Sequence, residues 1–196
     1  MAISKILYMK DSGNSFHARH LKRALDYVMN PEKTQRGRLV GAVNCQADIA
    51  FEQMMDTKKQ FGKTDKRQGY HIILSFKEDE VEPDRAFEIT QKFVAEYLGD
   101  AYEAVFVVHD NTDHVHSHIV FNSVSFVDGK KYRYEKPAWV EQVENLLGVI
   151  ILAKNVMEFA QAYQQQDSST MNSALKGIVA GVMMAGISTV LTFLGF

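Results

Sequence analysis

The chain has 196 residues, 46% of them hydrophobic, with a net charge of −2, which excludes a disordered chain and allows one domain of common size plus an appendage. Its single cysteine, Cys45, excludes a disulfide framework and is typical of a reducing compartment. Residues 1–77 carry 14 Lys and Arg against 7 Asp and Glu, whereas residues 78–136 carry 6 against 13. This basic first part indicates an anionic partner such as nucleic acid, although ordinary solvated surface has a similar composition.

The first third of the chain predicts a strand followed by a helix. Residues 3–9 form the strand, and we expect no signal peptide because the chain leads straight into it. Turn residues follow, and Ser15 is a candidate helix N-cap. Apolar side chains at helical spacing then define a buried stripe, with Tyr27 on its flank: Leu21, Ala24, Leu25 and Val28. Asn30-Pro31 ends this helix.

The next hundred residues alternate strands and helices. The pattern predicts a short strand at 38–45, a helix at 49–61, a strand at 70–76, a helix at 83–98, a strand at 104–108, a histidine-rich strand reaching Phe126, a turn at Asp128-Gly129 and a returning strand at 130–136. The order βα(β)αβαββ is typical of the α+β class, with an antiparallel sheet backed by helices.

Four of the seven histidines fall within ten positions, at His109, His114, His116 and His118. Side chains two apart on a strand point to the same face, so the last three form a row, and the preceding strand delivers His109 near it. Exposed polar residues on a half-buried strand are the plain alternative. The spacing of two residues between the histidines favours a site where three or four neutral imidazoles bind one divalent cation.

After Lys136 the composition changes, and we expect a separate C-terminal domain at 137–196. Residues 137–163 have an apolar stripe at helical spacing, and residues 164–170 predict a polar linker. Gly177–Phe196 is twenty residues without a charge, long enough to span a bilayer as a helix. Its small residues suit close packing in a membrane. A buried, soluble helical hairpin is the alternative.

Three stretches within residues 1–136 resemble the motifs of the relaxases, the mobilisation nucleases of plasmids and conjugative elements, in the HUH endonuclease superfamily. Leu21–Val28 looks like the motif that presents the nucleophilic tyrosine. Tyr70–Phe76 looks like the motif whose serine contacts DNA near the cleaved phosphate. His109–Asn122 looks like the metal-binding motif.

The resemblance implies a metal-dependent nuclease that nicks single-stranded DNA at a transfer origin through a 5′-phosphotyrosine intermediate. Tyr27 is then the nucleophile, with Tyr8 as an alternative, and Ser75 contacts the DNA. The implied metal ligands are His109, His116 and His118, whereas strand geometry alone favours His114, His116 and His118. Mg²⁺ or Mn²⁺ is expected, and Zn²⁺, Ni²⁺ or Co²⁺ are alternatives. We expect four side chains to support the ligands: Asp110, Asp113, His114 and Asn122.

A basic groove for the DNA is implied as well, and we expect nine side chains to supply it: Arg19, Lys22, Arg23, Lys33, Arg36, Arg38, Lys63, Lys66 and Arg67. The expected partners are single-stranded DNA at a transfer origin, accessory relaxosome proteins and a type IV secretion coupling protein. The expected location is the cytoplasm, with anchoring to the inner face of the plasma membrane through residues 177–196.

The C-terminal sixty residues depart from the family pattern and look like an unrelated apolar segment joined to the nuclease. Two other functions therefore stay open. One is a catalytically inactive relaxase remnant that serves as a membrane-anchored DNA-binding or interaction module. The other is a replication-initiator nuclease of the same superfamily, in which the metal-binding histidines usually precede the tyrosine. Here Tyr27 precedes them, which favours the relaxase.

Overall fold

A computed structural model of the chain describes residues 3–10, 18–77, 81–111 and 114–186. These residues form two compact units that divide between Tyr134 and Glu135. The first unit contains a mixed arrangement of strands and helices, and the second is helical. Each unit is described by itself below.

The first unit is built on one five-stranded sheet in which all neighbouring strands are antiparallel. The spatial order is β1-β3-β5-β4-β2, and the strands are β1 Ile3–Lys10, β2 Val40–Val43, β3 Arg67–Ser75, β4 Ala104–His109 and β5 His116–Asn122. The prediction of an α+β fold with an antiparallel sheet is confirmed, including the order of its elements.

Three helices accompany this sheet: α1 Arg19–Val28, α2 Ala50–Gln60 and α3 Pro83–Leu98. Proline at the first position of α3 costs nothing because the missing N–H has no partner there in any helix. Gly99 ends α3 with a φ of 54°, a conformation that favours glycine. The candidate N-cap Ser15 lies outside the described residues.

The helices cover both faces of the sheet. Helices α1 and α2 bury Leu25 and Met54 on the face that carries Val105, Val107 and Val120. Helix α3 covers the other face, where the Thr90 hydroxyl donates a 2.6 Å hydrogen bond to Ser117 and Phe87 contacts Phe106. Because residues alternate between faces along β5, its even-numbered side chains, including the histidines, lie on the α1 and α2 side.

Two predictions about the end of this unit are wrong. Strand β5 ends at Asn122 rather than Phe126, and no strand forms at 130–136, where a single bridge joins Val124 to Lys131. Ser125 explains the difference, since its hydroxyl accepts the backbone N–H groups of Val127 and Asp128 and turns the chain away from the sheet.

The second unit contains helices α4, Lys136–Gln165, and α5, Ser168–Ala185, which pack as an antiparallel hairpin. The connection between the helices lies within the predicted linker at 164–170 but is shorter, Gln166 and Asp167, because Asp167 caps α5 by accepting the backbone N–H groups of Ser169 and Thr170. A Cβ at Gly148 would meet the backbone of Ala185, and one at Gly181 would meet that of Leu152. The small residues of α5 therefore allow it to approach α4 closely.

The predicted membrane helix at 177–196 differs from what the structure describes. Helix α5 begins nine residues earlier, at Ser168, and ends at Ala185 because Gly186 adopts a φ of 72°. Residues 187–196 lie outside the described residues. Among the helices that the structure does describe, none combines the length and the apolarity that crossing a membrane requires.

Candidate active site

Three predicted site residues lie side by side across the centre of the sheet. Strand pairing sets His109 of β4 opposite His116 of β5, and His116 opposite Ser75 of β3. Partners in an antiparallel register share a face, so all three side chains lie on the face that α1 and α2 cover. His118 is two residues further along β5, and its ring centre is 4.3 Å from that of His109 and 6.4 Å from that of His116.

Each of the three imidazoles has one ring nitrogen in a hydrogen bond. His109 Nε2 lies 2.8 Å from the Val28 carbonyl oxygen, and His116 Nδ1 lies 2.7 Å from that of His114. A carbonyl oxygen only accepts, so these nitrogens donate and the opposite nitrogens keep their lone pairs. His118 Nδ1 lies 2.9 Å from Nε2 of His71, a fourth histidine from β3.

Burial favours the neutral form of three histidines in this cluster, His71, His109 and His118. Desolvation lowers the pKa of His71 to about 4 and that of His118 to about 3, and the neighbouring histidines add to both shifts. Desolvation also lowers the pKa of His109, opposed by its hydrogen bond to Val28. Neutral imidazole is the form that ligates metal ions.

The donor set therefore suits a divalent cation in its chemistry: burial favours the neutral imidazole at His109 and His118, and a hydrogen bond to the second ring nitrogen is the usual support of a ligand histidine. The positions of these side chains, however, do not form a complete metal site. Between residues 3 and 186, apart from the three stretches that are not described, no three His, Cys, Asp or Glu side chains converge as a ready ligand set. The assignment of His109, His116 and His118 as ligands stays a prediction.

Tyr27 lies at the C-terminal end of α1, directly over the histidines. Its ring meets those of His109 and His118 edge-on, with centres 5.9 and 6.3 Å apart. The Lys33 ammonium is 3.9 Å from the centre of the Tyr27 ring, within cation–π distance. The side chain is nevertheless 53% exposed, so its hydroxyl is accessible to a large substrate.

Two of the expected supporting residues, Asp110 and His114, lie near the cluster. The Asp110 carboxylate accepts a hydrogen bond from the Gln35 amide, so a glutamine rather than a histidine is its partner. His114 precedes β5 and is exposed, and its ring contacts that of His116 while its carbonyl accepts the His116 N–H. The row of three histidines on one strand is therefore reduced to His116 and His118. Asp113 lies outside the described residues.

Asn122 is on the same face of β5 as His118, but four residues away, about 13 Å along a strand. It belongs to a buried network instead. Its amide oxygen accepts from Lys58 at 2.6 Å, and its amide nitrogen donates to Glu103 at 2.6 Å. Asn122 therefore joins α2 to the sheet, and the expectation that it supports the histidines is wrong in position.

Tyr8, the alternative nucleophile, faces away from the histidines. It pairs in register with Tyr70, and Tyr70 pairs with Phe121, which places all three on the α3 face. The geometry of the sheet thus favours Tyr27 over Tyr8 as the tyrosine that can reach the cluster.

The nine basic side chains expected to form one groove fall into two groups. Six belong to α1 and the loop after it, where Lys33 lies over Tyr27, Arg38 pairs with Asp84 of α3 and Lys22 pairs with Asp26: Arg19, Lys22, Arg23, Lys33, Arg36 and Arg38. The other three, Lys63, Lys66 and Arg67, lie at the far end of β3 and line a separate pair of clefts.

Three features of the site were not predicted from the sequence: the hydrogen bond of His109 to the Val28 carbonyl, the position of Lys33 over Tyr27, and the contact of His71 with His118. The first two arise from tertiary contacts that no local pattern reveals. His71 did carry a signal, because it lies four residues from Ser75 on a strand and therefore on the same face.

Comparison with known families gives one match that covers about two thirds of the chain. The family described as "Relaxase: MobA/VirD2-like, nuclease domain" matches residues 27–156. The match begins at Tyr27 and continues past the division at residue 134 into α4. The expectation that everything after residue 136 is unrelated to the nuclease is therefore not supported.

The chain is also similar to individual proteins. A protein rlx of Staphylococcus aureus is 34% identical over 116 residues, which are 59% of this chain and 33% of that protein. The group II intron-interrupted relaxase LtrB of Lactococcus lactis subsp. cremoris is 31% identical over 150 residues, covering 62% of this chain and 26% of LtrB. The chain thus spans about a third or less of the length of these relatives.

Proposed function

Because the chain belongs to the family of MobA/VirD2-like relaxase nuclease domains, we propose that it nicks single-stranded DNA at the transfer origin of a mobile element. The observation that carries the proposal is the contact of the Tyr27 ring with His109 and His118. An exposed nucleophile beside neutral imidazoles is the arrangement that phosphodiester transesterification needs.

In the proposed step, the Tyr27 hydroxyl gives up its proton to solvent and its oxygen attacks the scissile phosphorus, while the departing 3′ oxygen takes up a proton from solvent. A bond forms between that oxygen and phosphorus while the bond to the 3′ oxygen breaks. The products are a 5′-phosphotyrosine and a DNA strand that leaves with a free 3′-hydroxyl. Because one phosphoester replaces another, the reverse attack by a 3′-hydroxyl reseals the strand.

We further propose that His109, His116 and His118 hold a divalent cation, Mg²⁺ or Mn²⁺ before Zn²⁺, Ni²⁺ or Co²⁺. A bound cation neutralises the negative charge that the phosphate oxygens gain in the transition state. The hydrogen bonds that His109 and His116 donate to the Val28 and His114 carbonyls fix the orientations of the two rings, which reduces the cost of assembling the ligand set.

Ser75 and Lys33 are proposed to position the substrate. Ser75 shares the cross-strand row of His116 and His109, so its hydroxyl is in place to donate to a phosphate beside them. Lys33 lies over the Tyr27 ring, where its ammonium can contact the same phosphate group. Accessory relaxosome proteins, a type IV secretion coupling protein and attachment to the inner membrane face through residues 177–196 stay predictions.

The test is covalent attachment to DNA. The protein is incubated with Mn²⁺ and oligonucleotides that cover its element's own transfer origin, and then run on a denaturing gel. We expect a shifted band that chelator abolishes and that is missing in Tyr27→Phe but present in Tyr8→Phe, the matched control on the other face. DNA binding without a covalent band in the unmodified protein contradicts the proposal and favours the inactive DNA-binding module.

A further inference from the structure

A second concentration of polar side chains lies at the end of β3 opposite the histidines. Two adjoining clefts, with volumes of ≈ 520 and ≈ 480 Å³, open between the loop before β3 and the segment that follows β5. Their walls carry six cationic side chains: Lys63, Lys66, Arg67, Lys130, Lys131 and Arg133. We call these two clefts together the distal cleft.

The distal cleft keeps an excess of positive charge after its acidic neighbours are counted. Asp65 lies 3.4 Å from Lys131 and 3.9 Å from Lys66, and Asp128 lies 2.8 Å from Lys130. Two carboxylates thus face six cations. Lys66 and Lys130 are 78% and 81% exposed, so they are accessible to a ligand and gain little from these surface pairs.

Aromatic rings accompany the cations. The Arg67 guanidinium lies 5.2 Å from the centre of the Tyr8 ring and 6.0 Å from that of Tyr70, and it donates to the Tyr70 hydroxyl at 2.9 Å. Tyr70 is buried and its hydroxyl donates to the Tyr132 carbonyl, so Arg67 is held in place. Tyr8 is 56% exposed and offers a face of its ring to a base.

We propose that the distal cleft binds a second stretch of the single-stranded DNA whose scissile phosphate lies at Tyr27. A basic concave surface interleaved with aromatic rings is the usual way in which proteins hold single strands, because the cations track phosphates and the rings stack on bases. The inference rests on the proposed nicking function and adds a contact that this function does not require.

The spacing of the two sites sets the length of DNA that can reach both. Ile73, the register partner of His118, and Arg67 are six residues apart on β3, about 20 Å at the rise of a strand. Because the histidines and the tyrosines beside Arg67 lie on opposite faces of the sheet, this distance is a minimum for a strand that reaches both. At roughly 3.4 Å per stacked nucleotide, it corresponds to at least about six nucleotides.

The test measures binding without cleavage, in the full chain carrying Tyr27→Phe. Fluorescence anisotropy gives the Kd of labelled dT30 at several salt concentrations. The variant Lys66→Glu/Lys130→Glu, changed at two exposed positions, is expected to bind at least tenfold more weakly. Its plot of log Kd against log salt should be shallower by about 1.4, since each phosphate contact to a single strand contributes about 0.7.

A charge-matched control distinguishes the loss of cations in the distal cleft from a change in the net charge of the protein. Lys59→Glu/Lys92→Glu changes two exposed lysines on α2 and α3 that do not line the cleft, and it should leave the Kd within twofold. Tyr8→Ala should weaken binding at least fivefold through lost stacking, whereas Tyr163→Ala, at an exposed tyrosine of α4, should not.

Three results overturn the inference: an unchanged Kd and slope in the cleft variant, an equal loss in the control, or tenfold tighter binding of a duplex than of dT30. The failure of the nicking function is a separate result. If the unmodified protein forms no covalent band while the cleft variants still weaken dT30 binding, the cleft assignment stands and only the proposed chemistry is wrong.

Discussion

Two polar clusters lie on the same face of β5, and they differ in how their polar atoms are satisfied. Around Asn122, amide, carboxylate and ammonium groups are buried together and bonded to one another. Around His118, the imidazoles use one nitrogen each and are bordered by an exposed tyrosine. The first cluster is closed and stabilises the fold, while the second leaves donor atoms for a substrate or metal.

The largest expected effect is at Lys58 in the closed cluster, whose side chain is fully buried and donates to Asn122. We expect Lys58→Ala to lower the free energy of unfolding by about 3 kcal/mol or more, because the buried Asn122 oxygen and Glu103 carboxylate lose the cation beside them. Urea denaturation measures the loss. The adjacent Lys59, exposed and paired with Asp56, is the control, and Lys59→Ala should cost less than about 0.5 kcal/mol.

Asn122 and His116 give the same contrast within one strand. Asn122→Ala should cost about 2 kcal/mol in unfolding free energy, since it leaves several buried hydrogen-bonding groups without partners. His116→Ala, at a half-buried position bonded to one backbone carbonyl, should cost less than about 1 kcal/mol yet abolish Mn²⁺-dependent cleavage. Equal losses of stability in both variants would contradict the division into closed and open clusters.

A substitution at His71 tests whether the open cluster binds a metal ion. Its Nε2 engages His118 Nδ1, so His71→Gln should weaken Mn²⁺ binding by roughly 10- to 100-fold while the protein stays folded. Isothermal titration calorimetry with Mn²⁺ alone measures the affinity. The control is His20→Gln, at an exposed histidine of α1, which should leave the affinity unchanged.

The smallest expected effect is on the pKa of the Cys45 thiol, which responds to the charge of Glu103 in the closed cluster. Burial, and then the Glu103 carboxylate, raise the pKa of the Cys45 thiol to about 11. A raised pKa favours the neutral thiol, so at pH 8 alkylation should be at least tenfold slower than in urea and should accelerate as the pH approaches 11. Glu103→Gln should lower the pKa of Cys45, and an unchanged pH profile would contradict the contribution of Glu103 to it.

Local patterns in the sequence were sufficient for most of the fold. Helix α3 was predicted with its observed bounds, and three members of the predicted stripe on α1, Leu21, Leu25 and Val28, are buried as expected while Ala24 is half-buried. The returning strand at 130–136 failed because Ser125 diverts the chain through hydrogen bonds that alternation of residue types does not encode.

The site was predictable where it depends on strand periodicity and not where it depends on tertiary contacts. The pairing of His109 with His116 follows from two consecutive strands. The partners of Asp110 and Asn122 could not be predicted, because Gln35 and Lys58 are 75 and 64 residues away in sequence. The structural division between Tyr134 and Glu135 lies close to the boundary expected at residue 136. The expectation that the segment after it is unrelated to the nuclease is not supported, since the family match continues to residue 156 in α4.

The central claim is that Tyr27, and not another tyrosine, becomes linked to DNA. Trypsin separates the two candidates, since Tyr27 is the only tyrosine of peptide 24–33 and Tyr8 the only one of peptide 6–10. After reaction with an origin oligonucleotide and nuclease trimming, mass spectrometry should find a nucleotide 5′-phosphate on peptide 24–33. A nucleotide on peptide 6–10, or on neither peptide when a covalent band is present, would contradict the account.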